Sequence, residues 1–532
     1  MNNKIFSAVL IAGTLALSSC EKKTLELQPY TSFSDQSAFS SADRCLLALN
    51  GVYDAAQSGF YAGGAVRGYP FGAANIAQGD ARGEDMLNQA AFYQITYEAT
   101  YNNASPNNGF QFQTLYSMIN KANLTIDGVK SAGTSGVVST ATSTQYEAEC
   151  RFLRAFAHHE LVVNFSRPYL DGNGSQMGII YRDFAINSDA TSTAARAIVR
   201  STVKVSDTYT KILADLDFAE ANLAATNTGT GLSTYRATKA AAIALKMRVK
   251  LHMGDWAGVI AEGAKIVSGT APNFSSPIGG WKLTATPDGP FANNTSTESV
   301  FSIKNDATDN SGVNGALAQM MGDPALGARG LLRVSPVIWS DADWKCNDLR
   351  RTTLYRTAGS PVNAVYPTKY RDYATTSDAT PQIRYAEVLL TLAEAQARNS
   401  ATVSTTALDL LNAVRNRSVT TVLDQYTILS FATKNDLIAA ILKERRIEFL
   451  GEGKRWSDIH RLSQDATFAP VAGGGIPSKV GSGGATAAMF NCAGATFTRS
   501  VAAIPYSNFR FIWPIPIEET QQNINYTQNP NY

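Results

Sequence analysis

Charge is scarce in this sequence. Asp, Glu, Lys and Arg make up 17% of 532 residues and nearly cancel, leaving a formal charge of +2, below the usual charged quarter of a soluble domain. That excludes the concentrated basic face a nucleic-acid partner demands. Histidine is rarer still, with four in the chain. His158 and His159 are adjacent, so on a helix they point to different sides and no shared metal ion is expected. Five cysteines are scattered with no C-x-x-C pair. H-E-x-x-H, G-x-S-x-G and a phosphate-cradling glycine loop are absent; Gly79, Gly83 and the run 473–475 read as ordinary loops. No catalytic apparatus, cofactor or metal is therefore expected, although two carboxylates at glycosidase spacing leave no mark in a sequence. Past the first twenty residues, no run is long and apolar enough to span a bilayer.

The amino terminus is more positive evidence. Lys4 precedes an apolar run over residues 5–17, which reads as a secretory signal. Leu17, Ser18, Ser19 and Cys20 then form a small-residue site ending in cysteine, the pattern of a bacterial lipoprotein. Residues 1–19 are expected to be removed and Cys20 to carry acyl chains; two or three chains make dissociation from a membrane rare, where one would not. Residues 20–38, with Pro29 among polar neighbours, read as a tether. Cys45, Cys150, Cys346 and Cys492 are expected to be small buried hydrophobes or to include one disulfide; export permits oxidation.

Helical patterns alternate with long irregular stretches. Ser41 is a good N-cap for a first helix through Cys45, Leu49, Val52 and Tyr53. Phe112, Leu115, Ile119 and Ile126 share one face, as do Phe152, Ala155, Phe156, His159 and Val163, and Tyr209, Ile212, Leu216, Ala219 and Leu223. Two alanine-rich helices, 238–252 and 255–268, are joined by Met253 and Gly254, so they should pack as an antiparallel pair. Residues 269–381 break the pattern with Pro, Gly, Trp and short strand-like runs such as 299–304. Helices resume at 383–398, 406–417 and 435–450, and 462–501 is again glycine-rich. The expectation is a mostly α fold of tetratricopeptide-like helical pairs, an α-α superhelix, with a loop-rich irregular face and few short strands.

Several separate motifs then carry a family resemblance. Ala48, Asn50, Gly51 and Tyr53 come first, followed by the pair Ala122 and Asn123 and by the run Glu149 to Phe156, which reads E-C-R-F-L-R-A-F. Residues 383–394 read I-R-Y-A-E-V-L-L-T-L-A-E, and Leu411, Asn412, Val414 and Arg415 follow. Glu444, Arg445, Arg446, Glu448 and Phe449 precede Glu452, Gly453, Arg455, Trp456 and Asp458. Pro514-Ile515-Pro516 and Gln528, Asn529, Pro530 and Tyr532 close the chain. Together they resemble the SusD/RagB outer-membrane lipoproteins. The resemblance implies four helix pairs, a non-enzymatic nutrient binder, and a SusC-like TonB-dependent outer-membrane barrel as partner, over which the lipoprotein acts as a hinged lid. It also implies an N-terminal helical region, 39–270, packed as one body with a C-terminal region, 271–532. An outer-membrane, lipid-anchored protein facing the exterior is expected, although Glu21, Lys22 and Lys23 depart from the acidic run that surface-exposed relatives tend to carry.

Plentiful Ser, Thr, Asn and Gly with 10% aromatics suit a neutral polar ligand, an oligosaccharide before a peptide, because sugar faces stack on rings and sugar edges bond amides and charges. Two stretches fit. In 80–103, Asp80, Arg82 and Asp85 precede Tyr93, Tyr97 and Tyr101, whose i,i+4 spacing makes one helical stripe. In the middle break, Trp281, Trp339 and Trp344 stand among polar residues. All nine are candidate ligand contacts; the alternative is that stripe and tryptophans plug the core. A protein-interaction scaffold, the remaining alternative, predicts such burial. Glu444, Arg445, Glu448, Arg455 and Asp458 are expected to form an ion-pair network rather than an active site.

Overall fold

The computed structural model describes residues 35–59, 67–358, 364–482, 485–492 and 494–532. The signal 1–19, Cys20 and the tether up to residue 34 lie outside the described residues. Helix starts follow from their caps. Ser41 accepts the Arg44 N–H and opens α1 (Ala42–Gln57). The chain then leaves the helical pattern for two short helices, α2 (Ala73–Ala81) and α3 (Ala91–Tyr97), before α4 (Pro106–Thr134), which has proline at its first turn. Ser139 caps α5 (Thr140–Phe165), α6 (Val205–Asn222) follows, and Thr238 caps α7 (Lys239–Met253). Gly254, at φ 71°, ends α7 in the left-handed region, and Asp255 accepts the Gly258 N–H to start α8 (Trp256–Ile266). After the middle segment come α9 (Tyr385–Asn399), α10 (Thr405–Arg415), α11 (Lys434–Glu448) and α12 (Lys454–Leu462).

The helices α1, α4, α5, α6, α7, α8, α9 and α10 each pack on the next, so the fold is a superhelix of antiparallel pairs. One core runs along this stack, from Leu49 on α1 to Leu411 on α10, and includes Phe511 and Trp513 from the chain end. Among the described residues the strands form four two-stranded antiparallel ribbons. β1 (Met86–Asn88) pairs with β3 (Leu332–Val334), and β2 (Ser299–Ile303) with β6 (Thr380–Arg384). β4 (Tyr355–Ala358) pairs with β5 (Ala364–Pro367), and β7 (Gly475–Ile476) with β8 (Ile504–Pro505). The ribbons β1–β3 and β4–β5 pack on a second core built from Tyr93, Tyr97, Trp339, Trp344, Tyr355 and Tyr370, whereas β2 and β6 join the main core. Among the described residues no helix is long and apolar enough to cross a membrane.

Three local expectations change. Ile383 and Arg384, read as a helix start, belong to β6, because pairing with β2 captures them. The segments now seen as α2 and α12 span only nine residues each, too short for periodicity to announce them, and α2 is buried on nearly every side. Cysteine resolves into both alternatives: Cys346 and Cys492 form a disulfide, whereas Cys45 and Cys150 are buried free thiols.

Charge concentrates around the end of α11 and the turn into α12. Arg350 reaches Glu448 at 3.0 Å, Glu444 at 2.5 Å and Asp348 at 2.7 Å. Arg417 also reaches Glu448, at 2.6 Å, and Arg384 reaches Glu452 at 2.8 Å. These side chains are almost wholly buried, so each carboxylate depends on its guanidiniums. Arg445 pairs with Asp458 at 3.2 Å and Arg455 with Glu84 at 2.7 Å, the remaining members of the expected network.

Candidate ligand-binding face

The residues chosen from sequence chemistry turn inward. Asp80 ends α2 and accepts the Gly453 N–H at 3.0 Å, bracing the turn into α12; burial raises its pKa to about 7. Arg82 lies with its guanidinium 3.2 Å from the Trp456 ring centre and donates to Asn164 Oδ1 and the Phe511 carbonyl at 2.9 and 2.8 Å. Burial pushes the Arg82 pKa down to about 10. Asp85 accepts from Arg446 at 2.9 Å. Tyr93 and Tyr97 stand one turn apart on α3 and are fully buried; the Tyr97 hydroxyl donates to the Val480 carbonyl at 2.6 Å. Tyr101 lies beyond the helix end, also buried, and donates to the Arg510 carbonyl. Trp339 and Trp344 meet edge to face at 5.1 Å with Arg351 against both rings, and Trp281 is buried in the main core.

None of the nine therefore offers an open ring or a free charge to a solute, and the expectation of exposed platforms is corrected. The physical reason is shared. An i,i+4 tyrosine stripe is also the shortest way for a seven-residue helix to anchor itself, and here it covers β1 and β3. Asp80, Arg82 and Asp85 are consumed by partners distant in sequence, which spacing cannot reveal.

What the stripe supports is the face above it. With Tyr93 pointing inward, its neighbour Phe92 is left half-buried at the surface, the two rings 4.8 Å apart. The Arg67 guanidinium lies 4.9 Å from the Phe92 ring centre. Among the described residues the Arg67 Nε and the Tyr93 hydroxyl have no hydrogen-bond partner. Burial raises the Tyr93 pKa, opposed by the positive charges of Arg329 and Arg67, so both guanidiniums act on one spot. Arg329 is exposed and donates to the exposed Asn314.

The backbone beneath is fixed. Ala73 N–H donates to the Gly315 carbonyl at 3.2 Å, and the Ser311 hydroxyl donates to the Gln57 carbonyl at 3.0 Å. Gly68, at φ 75°, lets these segments touch: a Cβ there would meet the Ala73 nitrogen at 2.5 Å and the Gly315 carbonyl at 2.8 Å. The result is a ring flanked by donor-rich groups on a rigid floor, suited to stacking and hydrogen bonding. Among the described residues no cluster of His, Cys, Asp and Glu is arranged to hold a metal ion. Arg67, Phe92, Asn314 and Arg329 were missed from sequence; the available signal was phase, since a stripe turned inward leaves the adjacent residue outside.

Two family models match separate stretches of the chain: the SusD family over residues 337–532, and one described as "Starch-binding associating with outer membrane" over residues 60–251. The chain is thus similar to SusD-family proteins in two separate stretches. Among its relatives, the SusD-like protein P38 of Formosa agariphila is 22% identical, covering 86% of this chain and 91% of that protein. Among solved structures, a SusD superfamily protein from Bacteroides fragilis is 25% identical with a TM-score of 0.74, covering 92% of this chain and all of the other. The surface glycan-binding protein A of Bacteroides uniformis has the same fold, with 17% identity and a TM-score of 0.67 over 92% of this chain and 99% of its own.

Proposed function

We propose that this protein captures an oligosaccharide on its irregular face and passes it, unchanged, to a TonB-dependent outer-membrane barrel. The observation that carries the reading is the Phe92 ring, flanked by Arg67 and standing near Arg329, on a floor locked by the second core. A pyranose can lay its apolar face on the ring while its hydroxyls accept from the guanidiniums and from the Asn314 amide. The starch-binding and glycan-binding character ascribed to similar proteins supports the ligand class. Acyl chains on Cys20 would hold the protein at the outer membrane, facing the exterior, where it acts as a lid over the barrel.

The test uses a form lacking residues 1–20, applied to glycan and peptide arrays and then to calorimetry. Glycan binding is expected, weakened about tenfold or more by Phe92→Ala or Arg67→Ala, a loss of roughly 1.4 kcal/mol or more. Binding indifferent to both substitutions refutes the face, and binding to peptides alone replaces the ligand class. For the anchor, Cys20→Ala should release the protein from native membranes. For the partner, solubilised membranes should yield a TonB-dependent barrel with the wild-type chain.

A further inference from the structure

A cavity of about 440 Å³ opens between α1, the short helical turn Leu232–Tyr235, and the end of β2 with the loop that follows it. Its size lies within the ~300–1,000 Å³ of small-molecule sites. Two rings line it, Tyr53 and Tyr235, together with Asn50, Asp54, Lys304 and Asp309.

Each wall is fixed by bonds that leave the groups facing the cavity unused. Tyr53 donates its hydroxyl to Glu149 at 2.7 Å and accepts the Ala237 N–H at 2.9 Å, so its ring cannot swing. Arg236 clamps the same Glu149 at 2.6 Å. The Tyr235 ring packs on Gly231, where a Cβ would lie 3.1 Å from its Cε2. Gln57 Nε2 donates to the carbonyls of Lys304 and Asp309 at 2.8 and 3.2 Å, tying the loop to α1. Asp306 accepts the Thr308 and Asp309 N–H groups at 2.9 and 2.8 Å and pairs with Lys304 at 2.8 Å, which sets the path of the loop.

The groups left over form one set. Among the described residues, the Asn50 amide, the Tyr235 hydroxyl and the carboxylates of Asp54 and Asp309 make no hydrogen bond or ion pair. Carboxylates accept strongly from hydroxyls, an amide does both, and rings of fixed orientation offer stacking faces without an entropy cost on binding. From this geometry we infer a second saccharide site, for one or two sugar units, in the cleft bounded by Tyr53, Tyr235, Asp54 and Asp309. It is joined to the loop face by the segment 304–315, which lines the cleft at Asp309 and reaches the face at Asn314. The inference extends the glycan-binding reading and can fail separately from it.

The experiment is saturation-transfer NMR on the full chain in detergent, with maltotriose, cellotriose, laminaritriose and mannotriose as probes at millimolar concentration. At least one probe is expected to show transfer that survives Phe92→Ala with Arg67→Ala but falls at least fivefold in Tyr235→Ala and in Asp54→Asn with Asp309→Asn. Tyr235→Phe, which keeps the ring, should retain part of the signal, and thermal melts of each variant check that it is folded. Transfer that disappears with Phe92 and Arg67 and ignores Tyr235 overturns the second site while leaving the face intact. Dependence on Tyr235 with indifference to Phe92 and Arg67 for every probe that binds supports the cleft and refutes the face. Absence of transfer from all four probes overturns the second site.

Discussion

Gly79 and Gly453 show how little room separates α2 from the turn into α12. A Cβ at Gly79 would stand 2.4 Å from the Gly453 carbonyl oxygen, backbone that cannot step aside. Gly79→Ala should therefore destabilise by about 1–3 kcal/mol, read as a lower urea midpoint with an unchanged slope. Protonation acts at the same scale. Burial opposes ionisation of Glu84 and Glu387, but Arg455 and Arg446 for the first, and Arg248 and Lys454 for the second, override it and hold each carboxyl at about 2 rather than 4.5. A depressed folded pKa gives stability that is present above 4.5 and lost as pH falls through 2. Asp80, raised to about 7 from 3.8, acts oppositely, losing its contribution as pH climbs between those values, so the windows barely overlap. Melting temperature should drop between pH 4.5 and 2, and Glu84→Gln should flatten that slope; an unchanged slope refutes the assignment.

At the scale of elements, the paired helices were legible because each buries a wide apolar stripe and several begin at a polar cap, as Ser41, Ser139 and Thr238 show. The stripe at Tyr93 and Tyr97 was legible too, but not the direction it faces. Periodicity gives a face and says nothing of what lies opposite, here β1 and β3, the latter more than two hundred residues away in sequence. Asp80, Arg82 and Asp85 were misread for the same reason. The pairing of Cys346 with Cys492 belongs to this scale as well, closing a span of 146 residues. In the chain-entropy account such a closure contributes about 5 kcal/mol by restricting the unfolded chain. Cys346→Ser with Cys492→Ser should lower the melting temperature clearly, with far-ultraviolet dichroism unchanged below the transition.

Across the whole molecule, buried charge ties α11 to β6 and to the segments around Arg350 and Arg417. Glu448 sits among Arg350, Arg384 and Arg417, so its removal takes one carboxylate from three buried guanidiniums that then share Asp348, Glu444, Glu298 and Glu452. Glu448→Gln should cost about 3–5 kcal/mol and exceed the effect of Lys211→Ala at an exposed pair, which calorimetry would compare directly. The disulfide has a practical consequence at this level. It staples the stretch after β7 to the tryptophan wall under the face, and glutathione in a bacterial cytosol keeps most thiols reduced. Protein harvested from that compartment would keep its helices while its ligand surface loosened, so weak affinity in such a preparation would report on where the chain was made, and periplasmic expression is the proper source for every binding assay above.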